Sequence, residues 1–116
     1  MLFMLLVKAS RHTETGGAPN KELQLQMDRY NDELEQAGVR IMSKGLYPTE
    51  NALRIAFPNE SSERVVTKGP FSPTEDLIAG FFLLEVKNKE EAISWAMKAP
   101  DPMGNGEGRY ELRQVI

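Results

Sequence analysis

The chain has 116 residues with 17 acidic and 14 basic side chains, one histidine and no cysteine, for a formal net charge of −3. That length suits a single domain over residues 1–116 with one core of its own. The missing cysteines exclude a disulfide framework and a thiolate zinc site, and the interspersed charges, with no basic stripe, argue against nucleic acid or a membrane surface as partner.

The opening MLFMLLV is apolar throughout. It lacks the charged start of a signal peptide and falls well short of the ~20 residues of a membrane span, so residues 2–8 read as a buried strand. RHTETGGAPN follows as loop, with Pro19 and Asn20 placed to open a helix. From residue 21 to 37 the apolar side chains Leu23, Met27, Tyr30, Leu34 and Ala37 fall at helical spacing, and Gly38 is placed to end that helix. Residues 39–46 read as a second strand, closed by Tyr47 and Pro48.

Next, residues 52–57 and 64–68 flank the polar PNESSE and read as a hairpin. After the turn GPFSPTED comes a strand from about residue 78 to 87, in which Gly80 marks a bulge or a close approach of a partner's backbone. Asn88 and Glu91 have capping-box spacing ahead of a second helix, whose face carries Ala92, Trp95, Ala96 and Ala99. Pro100 and Pro102 stop it. A connector with Gly104, Gly106 and Gly108, read as flexible, leads to a last strand, RYELRQVI.

Setting the hairpin aside leaves βαββαβ, the ferredoxin-like α+β plan with both helices on one face of an antiparallel sheet. Such a sheet with one wet face alternates apolar with polar side chains. Here Leu2, Met4 and Leu6 oppose Phe3, Leu5 and Val7, and Ile78, Phe82 and Leu84 oppose Ala79, Phe81 and Leu83, so both faces are apolar. The inserted hairpin covers part of the second face at most; a second copy packed sheet to sheet is the simplest complete cover. Hiding about 400 Å² per subunit is worth on the order of 10 kcal/mol before association costs. The expected state is a two-fold homodimer.

Candidate chemistry is sparse. His12 stands alone, so a histidine metal cluster is impossible and no metal or cofactor is expected. It reads as a solvated loop residue. GNGEG precedes a strand rather than a helix, the reverse of a nucleotide site. In Gly69-Pro70-Phe71, proline fixes the turn geometry and Phe71 is expected to anchor the turn in the core. Arg109, Glu111 and Arg113 share a face of the last strand and read as a solvated edge.

RVVTKGPFSPTEDLIAGFFLLEVKNKEEAISWAMKAP, together with EQAGVRIMSKGLYPT and EGRYELRQVI, resembles the YCII-related proteins of the DGPF branch over nearly the whole chain. The resemblance implies a dimeric α+β barrel of ferredoxin-like subunits. It also implies association with sigma factors in some relatives and lyase-like activity in a few. Lys68 stands where the branch has the aspartate of its name motif. The histidine that catalytic relatives carry on the first helix has no counterpart near Met27, which argues against catalysis of their kind.

The expectation is a small cytoplasmic homodimer binding a polar or anionic organic molecule at the barrel mouth, lined by Tyr47, Arg54, Lys68 and Asp76. Asp76, where the family pattern is usually acidic, is the one candidate general base for a lyase or isomerase. A non-catalytic interaction module is the third reading.

Overall fold

The computed structural model describes residues 1–17, 19–60 and 62–116. Ala18, in the loop before the long helix, and Ser61, in the expected PNESSE turn, lie outside the described residues. In chain order the elements are β1 (Leu2–Lys8), α1 (Arg11–Glu14), α2 (Lys21–Gln36), β2 (Arg40–Gly45), β3 (Leu53–Ala56), β4 (Val65–Lys68), β5 (Ile78–Glu85), α3 (Lys89–Lys98) and β6 (Tyr110–Gln114). Single 3-10 turns lie at Thr49–Asn51 and Thr74–Asp76. The fold is mixed α+β. Strands β2-β5-β1-β6 form one sheet in that order with every neighbouring pair antiparallel, and β3 pairs with β4 alone. Among the described residues the sheet is open and closes no barrel.

Local chemistry accounts for the boundaries. Asn20 caps α2, its side chain accepting from the Leu23 N–H at 2.8 Å. Gly38, at φ +72°, ends it, with Val39 N–H donating to Leu34 O and Gly38 N–H to Glu35 O. That is a Schellman motif, and Leu34 and Val39 meet in the core as its hydrophobic partners. Asn88 caps α3 through the Glu91 N–H, but the Glu91 carboxylate reaches one residue further back than expected, to the Lys87 N–H. The RHTE segment, expected as loop, is a helical turn. Ser10 caps it by accepting from the Thr13 N–H, while the Thr13 hydroxyl accepts from the Ser10 N–H.

One side of the sheet is buried. Phe3, Leu5 and Val7 of β1 and Phe82 and Leu84 of β5 pack with Tyr30 and Leu34 of α2 and Ala92 of α3. Tyr30 meets Phe82 edge to face at 5.3 Å. The other side holds Leu2, Met4 and Leu6 beside Phe81 and Leu83, none of them buried. Met42 extends this patch onto β2, and Lys44, Glu111 and Arg113 edge it. Both helices therefore lie on one face, and the second face stays apolar at its centre.

The hairpin does not cover that second face. All eight residues of β3 and β4 are exposed, and the hairpin stands out as an arm. The arm explains a radius of gyration of 16.1 Å, where a compact chain of this length gives about 13–14 Å. Among the described residues, no helix is long and apolar enough to cross a membrane.

Gly80 sits beside the register shift between Val7 and Lys8, and a bulge was expected there. The close approach at this point comes from the chain's own β2. A Cβ at Gly80 would lie 2.9 Å from the Lys44 carbonyl oxygen and 3.3 Å from Gly45 Cα. Gly80→Ala is therefore expected to cost about 1–3 kcal/mol by overpacking, outweighing the ~0.5–1 kcal/mol of chain entropy that alanine saves. The urea midpoint, with the m-value unchanged, checks this.

Candidate functional site

Across β1, β5 and β2, Val7, Gly80 and Gly45 are neighbours on the helix-covered side, and Ser43 lies opposite Phe82. Elsewhere this side is filled by Phe3, Leu5, Phe82 and Leu84. Two glycines and a serine supply no comparable bulk. The result is a cavity of about 580 Å³ between this corner of the sheet and the first half of α2. Leu23 and Met27 form its apolar roof, Asn20, Gln24 and Asn31 its polar edge, and Pro102 and Met103 one wall. His12, Thr13 and Gly17 form another. The volume lies in the range of small-molecule sites.

Among the described residues no carboxylate side chain lines the cavity. Lys44 and Phe81 border it from register positions whose side chains belong to the open face. Several polar edge groups are already engaged. Gln24 donates to Asp28 at 2.9 Å, and Asn31 donates to Met27 O at 3.2 Å while accepting from the Arg40 guanidinium at 3.4 Å. The Ser43 hydroxyl has no hydrogen-bond partner among the described residues. His12 lies against Gly17, where a Cβ would overlap the imidazole. Tyr30 and Tyr110 donate to the Trp95 and Pro100 carbonyls at 2.8 Å. Burial, chiefly, pushes both phenols well above their ordinary range, so they stay neutral donors.

The wall bearing Met103 is organised by Asp101 rather than being a loose glycine connector. The Asp101 carboxylate accepts from Met103 N–H at 2.9 Å and Gly106 N–H at 2.6 Å. These backbone donors, Met103 first, hold its carboxyl below the usual carboxylate range.

A second cavity of about 290 Å³ adjoins the first, sharing Thr13, Gly17, Gly45 and Ala79 and adding Leu46, Tyr47 and Pro48. Behind it lies a polar tether. The Glu14 carboxylate accepts from both the N–H and the hydroxyl of Thr49, and the Thr49 oxygen accepts from Phe71 N–H at 2.9 Å. Gly69 passes so close that a Cβ would overlap the Thr49 carbonyl. Three segments that follow β1, β2 and β4 are thereby joined.

The four residues expected to line a mouth are spread out. Tyr47 is almost fully exposed at the rim of the smaller cavity. Arg54 pairs with Thr67 in the arm and lays its guanidinium 3.9 Å above the Phe71 ring. Lys68 ends β4 opposite Leu53, and Asp76 ends a 3-10 turn, both exposed. Among them only Tyr47 lines either cavity. Phe71 is half-buried beneath Arg54 and lies outside the core cluster, so it anchors the turn to the arm rather than to the core. Sequence reasoning read His12 as a solvated loop residue and passed over Ser43; His12 is exposed, on a helical turn, and borders the cavity. The signals were the Ser10-x-x-Thr13 capping pair and the shared parity of Ser43 and Gly45. Among the described residues no cluster of His, Asp or Glu is placed to hold a metal ion.

The YCII-related domain family matches residues 1–116, and the chain belongs to that family. Among curated proteins none matches it.

Asp101→Asn is expected to destabilise the protein at neutral pH. A carboxyl depressed in the folded state adds stability above its unfolded pKa, near 4, and loses it as pH falls through the folded value. The gap in unfolding free energy between wild type and variant should accordingly be widest above pH 5 and close toward pH 2. Urea titrations across that range check it.

Proposed function

We propose that this YCII-related protein is a two-fold dimer of ferredoxin-like subunits that binds a small polar or anionic organic molecule over Gly45 and Gly80. Support for the subunit plan is the strand order β2-β5-β1-β6, wholly antiparallel with both helices on one face; this is the βαββαβ order once the arm is set aside. Support for the dimer is the open face, apolar at Met4, Leu6, Phe81 and Leu83 and edged by Lys44, Glu111 and Arg113. An apolar centre with a charged rim is the anatomy of a subunit interface. Two such faces packed together would make the dimeric α+β barrel that resemblance to the DGPF branch implies.

The observation that carries the ligand reading is the lining. A cavity of about 580 Å³ offers an apolar roof, amides, the Ser43 hydroxyl and His12, and no carboxylate among the described residues. A ligand with a polar or anionic head suits such a lining better than a cation. Of the four residues expected at a mouth, Tyr47, at the rim of the adjoining cavity, is the one that would meet the ligand. A cysteine-free chain suits the reducing cytoplasm.

The enzymatic reading has less support, because Asp76 sits on an exposed turn outside both cavities. A raised general base needs a partly dry cleft.

The ligand reading is checked by thermal shift against a panel of small organic carboxylates and phosphate esters. At ~100 times Kd, binding adds about 2.7 kcal/mol, which for a domain near this size is about 10 °C in Tm. Ser43→Leu, filling the cavity without touching the strand ladder, should abolish the shift. A wild-type protein that no member of the panel stabilises removes the reading. For the dimer, light scattering at micromolar concentration should give the mass of two chains, and Leu6→Lys the mass of one.

A further inference from the structure

Neither the core nor the cavity explains the packing of the arm. Its register assigns side chains to two sides. Leu53 faces Lys68 and Ile55 faces Val66, with Phe57 next on the same side; Arg54 with Thr67 and Ala56 with Val65 occupy the other. Apart from Lys68 the first side is apolar, and Leu53, Ile55, Phe57 and Val66 are between 54 and 60 % exposed. A lone two-stranded hairpin is marginal in water, and a stripe of this kind ordinarily has a partner.

That partner is not the arm's own sheet. At its root the arm is tied down by Arg54 over Phe71, by Gly69 N–H donating to Ala52 O, and by the Thr49 bonds to Glu14 and Phe71. These contacts hold it outward, with every strand residue exposed. On β2, an edge strand of the sheet, Ile41 and Met42 are half-exposed, as is Leu46 just after it. Edge strands of this composition are usually covered.

We propose that the apolar side of the arm docks on a second copy of this chain, the two arms being exchanged across the two-fold axis. The proposal rests on the dimer described above and adds where the arm goes. Four large side chains exposed to this extent present roughly 400 Å². In an isologous pair each chain gives one arm and receives one. That brings the area to ~800 Å² per chain, the amount a stable interface takes, before the open sheet face is counted.

The experiment pairs a disrupting variant with a proximity probe. Ile55→Asp combined with Val66→Asp should raise the dimer dissociation constant at least 100-fold in sedimentation over a concentration series. The circular dichroism of the α2–α3 layer should be unchanged, because the arm stands outside the core. Since the chain has no cysteine, Ile55→Cys carrying a benzophenone reports the neighbour directly, and irradiation should yield a covalent two-chain species. A wild-type dimer whose association the double aspartate leaves unchanged, with cross-links only inside one chain, overturns the arm proposal while the dimer stands. A wild-type protein that stays a single chain at every concentration overturns both.

Discussion

Two helices shelter one side of a four-stranded sheet, and everything else in this molecule is arranged around that shortage. Strand geometry sends successive side chains to opposite faces, so a strand that is apolar at every position cannot satisfy itself against a single helical layer. β1 is such a strand. Its Phe3, Leu5 and Val7 are buried with α2 and α3, while Leu2, Met4 and Leu6 are left on the far side. The pattern recurs on β5, the neighbour of β1, so the surplus apolar side chains of the two strands are gathered into one patch rather than scattered.

The cavity arises by the complementary route, through side chains that are missing. On the covered face, bulky residues fill the space beneath the helices except where Ser43, Gly45 and Gly80 meet. Gly80 is demanded by the nearness of the Lys44 carbonyl, so the strand crossing that requires a glycine also empties the floor of the cavity. Structural necessity and site formation coincide in one residue. The wall opposite is stiffened by Asp101, whose carboxylate gathers backbone donors from a segment rich in glycine.

Most of the architecture was legible in the amino acids. Alternation along β1 and β5 announced two apolar faces, the Leu23–Met27–Tyr30–Leu34 spacing announced α2, and Gly38 its end. What was not legible depended on contacts between distant segments. The helical turn at Arg11–Glu14 hides in a loop-like composition, and only the Ser10 and Thr13 side chains betray it. Nothing local to Lys68 or Asp76 told that they would end on exposed ground, since their position follows from how the arm and the turn after it are rooted. Likewise Ser43 looks like any polar strand residue until its opposition to Phe82 places it under α2.

The tether from Glu14 through Thr49 to Phe71 ties together segments that sequence distance keeps apart. Glu14 belongs to the same helical turn as His12 and Thr13, which line the large cavity, and Phe71 carries the arm's Arg54 on its ring. The wall of the cavity and the foundation of the projecting hairpin are therefore one piece of masonry.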